Sequence, residues 1–118
     1  MSFVSYTSKH SAIVKNGIEA ISKVFSGKNM SEKESLLLCL DKFLDPYYGY
    51  SLPNKDEIVV LLQNLIVNEN SRDVKEDALN LLTSYCWPPF AILEDGLGKI
   101  EPELLPDVRY AINMNNEI

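Results

Sequence analysis

DEIVVLLQNLIVN, residues 56–68, decides the fold. Its β-branched residues would suit a strand, but thirteen positions are about twice the length of an ordinary strand. The segment also follows Asn54-Lys-Asp-Glu57, an N-cap residue with acidic first-turn residues that suit the helix dipole. A helix over 56–68 is therefore expected. Ile58, Val59, Val60, Leu61, Leu62, Leu65, Ile66 and Val67 leave it almost no polar side, so it should be covered on more than one side and lie centrally.

Outward from this helix the period stays helical. After the polar turn 68–71, Ser71 is placed to cap a helix with Val74, Ala78, Leu81, Leu82 and Tyr85 inside and Arg72, Asp73, Glu76, Asp77 and Asn80 outside. Trp87-Pro88-Pro89 breaks it, with Trp87 expected as a packing anchor. A short helix is expected over 90–97, ending at Gly96-Leu-Gly98, and a last one from Pro106 or Asp107 carries Val108, Ala111, Ile112 and Met114. Toward the N-terminus, DPYYGYSLP (45–53) holds two prolines and a glycine and is read as irregular. Before it, Ser31-Glu-Lys-Glu34 reads as a capping box opening a helix with Leu36, Leu37, Leu40, Phe43 and Leu44 on one face. Val14, Ile18, Ile21 and Phe25 predict a first helix over 11–25, stopped by Gly27. No sustained alternation and no hairpin dipeptide competes, so the fold class is all-α.

Asp73, Val74, Lys75, Ala78 and Leu79 return more loosely as Asp107, Val108, Arg109, Ala111 and Ile112, with one residue skipped. This resembles the second helix of the HEAT-repeat family. The resemblance implies stacked antiparallel helix pairs, a HEAT-like α-solenoid, with units at 11–44, 54–85 and 90–114. A helix pair cannot bury its apolar face alone, and about three stacked pairs would form a continuous core. An irregular helical bundle is the alternative. Either way, 118 residues suit one helical domain over 1–118, with flexible ends at 1–8 and 115–118.

The charge narrows the partners. Seventeen acidic against eleven basic residues give −6, and the basic residues are scattered. Nucleic acid and anionic membranes both need clustered Lys and Arg, so neither is expected. A basic protein is the electrostatic complement, although mild acidity also serves solubility alone. The first residues lack the apolar core of a secretory signal, and a cytoplasmic location is expected. Cys39 and Cys86 then read as buried thiols rather than a disulfide.

No catalytic constellation emerges. His10 is the only histidine and lies in a polar lead-in, neither cysteine has an activating setting, and no metal-ligand spacing occurs. Gly96-Leu-Gly98 lacks the third glycine of a nucleotide-binding turn. The expectation is a non-enzyme without cofactor or metal. What remains suits recognition. Tyr47, Tyr48 and Tyr50 offer large apolar area with a polar tip, either at an interface or folded back on a helix. Glu76, Asp77, Asn80, Tyr110 and Asn113 would share one surface if the second helices line a concave side. By profile the chain resembles the acidic immunity proteins of bacterial toxin systems, some of them helical and HEAT-like. That resemblance implies a protein-binding inhibitor that occludes a basic, nuclease-type toxin. The alternative is a HEAT-like scaffold or adaptor that binds a protein or peptide.

Overall fold

The computed structural model describes residues 5–50 and 52–114. The expected flexible ends fall partly outside these residues, at 1–4 and 115–118. Every regular element among the described residues is helical, with no strand. They divide into two compact units, Met1–Ile58 and Val59–Ile118.

In the first unit, α1 (Ser8–Asn16), α2 (Ile18–Ser26) and α3 (Met30–Leu44) pack on one another. The single helix expected over 11–25 is two helices. Gly17 separates them at φ 106°, ψ −171°, a conformation open essentially only to glycine. The apolar stripe stays in phase across the break, and Val14, Ile21 and Phe25 are buried. The segment 8–44 is therefore a trio of helices rather than the expected pair. The expected capping box at Ser31 also gives way, because α3 starts earlier. Asn29 is its cap, accepting from the Glu32 N–H at 3.1 Å. The face predicted for α3 is correct: Leu36, Leu37, Leu40, Phe43 and Leu44 are all buried.

α3 ends at Asp45, whose carboxylate accepts from the Tyr47 N–H at 2.9 Å and opens a 3-10 turn over Pro46–Tyr48. Gly49, at φ 74°, closes the turn. The next helix, α4, runs Lys55–Asn68, within a residue of its predicted start. Ile58, Leu62 and Ile66 on it are fully buried, and Leu65 and Val67 nearly so, but Val60 is exposed, so one strip of the helix faces water.

The second unit holds the rest of α4, then α5 (Arg72–Tyr85), α6 (Ala91–Asp95), a 3-10 turn (Leu97–Lys99) and α7 (Leu105–Ile112). Ser71 caps α5 as predicted, accepting from the Val74 N–H at 3.4 Å. Both α5 and α6 pack on α7. Between α5 and α6 the chain bends at Pro88 and carries a cis Pro88–Pro89 bond; Cys86, Pro88 and Phe90 are buried, while Trp87 and Pro89 face water. Trp87 is 71% exposed, which corrects its expected role as an anchor. Gly96 is a packing glycine. A Cβ there would stand 2.7 Å from Val67 Cγ2 and 3.1 Å from the Ile92 carbonyl, so only hydrogen fits.

Candidate functional site

His10, the one histidine, lies inside the fold rather than in a polar lead-in. It stands at the third position of α1, where Thr7 Oγ1 accepts from the Lys9 N–H and the Thr7 N–H donates to His10 Nδ1. Because Nδ1 is an acceptor, the ring proton sits on Nε2 and is donated to Glu32 Oε2 at 2.6 Å. Glu32 also accepts from Lys9 Nζ at 3.3 Å. These two bonds, His10 first, hold the Glu32 carboxyl below the usual carboxylate range. Nδ1 thus completes the cap of α1 itself, while Nε2 ties α1 to α3. Cys39 is buried beside Ser11, and desolvation pushes its thiol up, away from the thiolate a nucleophile needs. Neither Cys39 nor Cys86 is in a disulfide, and both are buried. Among the described residues no group of three or more His, Cys, Asp or Glu could hold a metal ion. Nor is any helix there long and apolar enough to cross a membrane.

The tyrosines form a patch on the first unit. Tyr47 is 86% exposed, and Tyr48 and Tyr50 are about half exposed. Tyr47 meets Tyr48 edge-on at 5.2 Å, and Tyr50 leans on the buried Phe43 at 4.5 Å. The Lys42 ammonium lies 5.8 Å from the Tyr48 ring and 5.9 Å from that of Tyr50, bridging them by cation–π attraction. Tyr50 is therefore partly folded back on α3, while Tyr47 is presented outward. Beneath Tyr50 lies a hollow of about 250 Å³, floored by Val14, Phe43 and Leu52, with Lys15 and Asn54 among its walls.

The second unit carries a groove of about 340 Å³ between α5 and α7. Its α5 wall is Glu76, Asn80 and Thr83, which recur at spacings of four and three and so share one helix face. Asp107 and Tyr110, one turn apart on α7, form the facing wall. The buried Leu79 and Leu104 make the floor. Three residues singled out in the sequence, Glu76, Asn80 and Tyr110, are thus brought together. Asp77 is not: it is half-buried and does not line the groove. Asn113 is not either, since its side-chain amide donates to the Arg109 carbonyl and finishes α7. Asp107 and Thr83 complete the groove and were missed; the sequence marks Asp107 only as an opening residue of the last helix.

Charge in the second unit is sorted by burial. Arg72 Nε donates to Glu76 Oε1 at 2.9 Å, one turn along α5, and this bond raises the Arg72 pKa above its ordinary value. Lys75 is buried, and its ammonium donates to Glu101. That bond holds the Glu101 carboxyl below the usual range. Asp107 is exposed and has no ion-pair partner among the described residues. In comparisons with protein-family models, curated proteins and solved structures, the chain finds no match.

Proposed function

We propose that this chain works by binding another protein, and that it neutralises a basic partner, of the kind found in bacterial toxin systems, by covering it. The observation that carries this reading is the groove of the second unit, where Glu76 and Asp107 stand on facing walls and no basic side chain lines the space among the described residues. In such a concave site, over the apolar floor of Leu79 and Leu104, the field of the carboxylates is less spread than on a flat surface, which favours a cationic surface. The exposed Tyr47 and Tyr48 of the first unit add rigid aromatic area suited to holding a formed complex. We place this function in the cytoplasm, without cofactor or metal and without catalysis by the chain. The packing of α5 on α7 also favours the HEAT-like arrangement, since these two carry the repeated aspartate-valine opening and would be consecutive second helices. The adaptor reading is favoured by one feature, the apolar hollow beneath Tyr50, which suits a docked peptide side chain.

The test is capture of a partner from the native host by the wild-type chain and by a Glu76→Lys, Asp107→Lys variant, followed by binding kinetics on the captured protein. The expected partner is basic, associates more slowly as salt rises, and is lost by the variant. Its expression alone should arrest growth, and coexpression of this chain should restore it. A captured protein that binds both forms equally at every salt concentration removes the groove as the contact surface. Harmless expression of the partner decides for the adaptor.

A further inference from the structure

Building on the acidic groove as the contact surface, we infer that it is a receptor for an arginine side chain, with Asp107 and Tyr110 as the residues that select it. The groove offers each part of that side chain a different wall. Leu79 and Leu104, both buried, give an apolar floor for the methylene stem. Asp107 supplies an exposed carboxylate with no ion-pair partner among the described residues, able to accept two parallel N–H bonds from one guanidinium. Tyr110, three residues on and 53% exposed, places an aromatic ring one turn from that carboxylate. A planar guanidinium can stack on that ring while it bonds the carboxylate, which a lysine ammonium cannot do. Across the groove, Asn80 and Thr83 add side-chain oxygens as further acceptors. The chain's own Arg72 already sits on the other carboxylate, Glu76, at 2.9 Å. Glu76 is thereby partly neutralised, and Asp107 is left as the open acceptor.

The test is a titration of the whole protein, followed by two-dimensional amide NMR, with acetyl-Gly-Arg-Gly-amide and with its lysine and citrulline counterparts. The arginine peptide should shift amides confined to 76–83 and 104–110 and bind about tenfold more tightly than the lysine peptide. The neutral citrulline peptide, of nearly the same shape, should not bind. Asp107→Asn should abolish binding of both cationic peptides, whereas Tyr110→Leu should lower arginine binding to the level of lysine and leave lysine unchanged. Both residues are exposed, and an unchanged circular dichroism spectrum would confirm that each variant folds. Arginine and lysine peptides that shift the groove equally would overturn the arginine preference and leave the acidic contact surface standing. An absence of shifts in the groove with either peptide would overturn both.

Discussion

The side-chain oxygen of Gln63 accepts a hydrogen bond from the Ile92 N–H at 3.0 Å, and a second from Leu93 at 3.3 Å. α6 has no side-chain cap of its own, because its N-cap residue is Phe90. A glutamine from the middle of α4 therefore satisfies two of the orphan donors at its start. Gln63 is only 4% exposed, so water cannot take over the role. Replacing Gln63 by Met keeps the length and removes the acceptor. The expected loss is about 1–3 kcal/mol in urea denaturation, the cost of leaving buried donors unsatisfied. Asn64→Met, on the exposed side of the same helix, should stay within about 0.5 kcal/mol of wild type. Equal effects of the two would mean that the cap carries no stability.

Gly17 gives a second prediction. A Cβ there would meet nothing within 4 Å, so the cost of a side chain is entirely one of backbone conformation. Gly17→Ala should destabilise by about 1–3 kcal/mol, and Gly17→Asn should not rescue, since asparagine tolerates the left-handed region but not φ 106° with ψ −171°. Thermal unfolding of the two variants checks this. Wild-type stability in either would mean that α1 and α2 can join as one continuous helix.

Acid should weaken the fold through two named carboxyls. Glu32, bonded to His10 and Lys9, and Glu101, bonded to Lys75, both titrate below the ordinary 4.5 when folded. The unfolded chain therefore takes up these protons first. The stability they contribute is complete above about 4.5 and is lost as pH falls through the lower folded values. Glu32→Gln and Glu101→Gln should each be less stable than wild type at neutral pH, with the gap closing in acid. Denaturation curves collected across the acid range would show it. Gaps that stay constant would remove both pairs from the acid response.

Leu62 and Leu65 test the importance of α4. They are 0% and 6% exposed, and truncating either to alanine should cost about 2–5 kcal/mol in chemical denaturation. Losses under about 1 kcal/mol at both positions would make the helix peripheral.

How much of this was legible in the sequence differs by element. The faces of α3 and α5 were readable because one apolar stripe on a long helix has only one burial solution. The break at Gly17 was not, since Val14, Ile18, Ile21 and Phe25 keep the same phase with or without it. The start of α3 was misread because Asn29 and Ser31 are both good caps two residues apart. Half of the groove could be read from the polar face of α5 and from Tyr110. Asp107 could not, because a carboxylate in a first turn looks the same whether it serves the helix or a ligand. Buried polar residues were the least visible. Nothing local to Gln63 or Lys75 announces that their partners stand at Ile92, Leu93 and Glu101.

The alternation along 86–90 has a spectroscopic consequence. Trp87 is the protein's single tryptophan, and its indole faces water in the native state. Its emission is therefore already red-shifted before any denaturant is added, and unfolding has little further to change. Intrinsic fluorescence would pass almost silently through a transition that circular dichroism records in full. The same exposed indole would turn blue and brighten when another surface closes over it, which makes Trp87 a built-in, label-free sensor of contact rather than of folding.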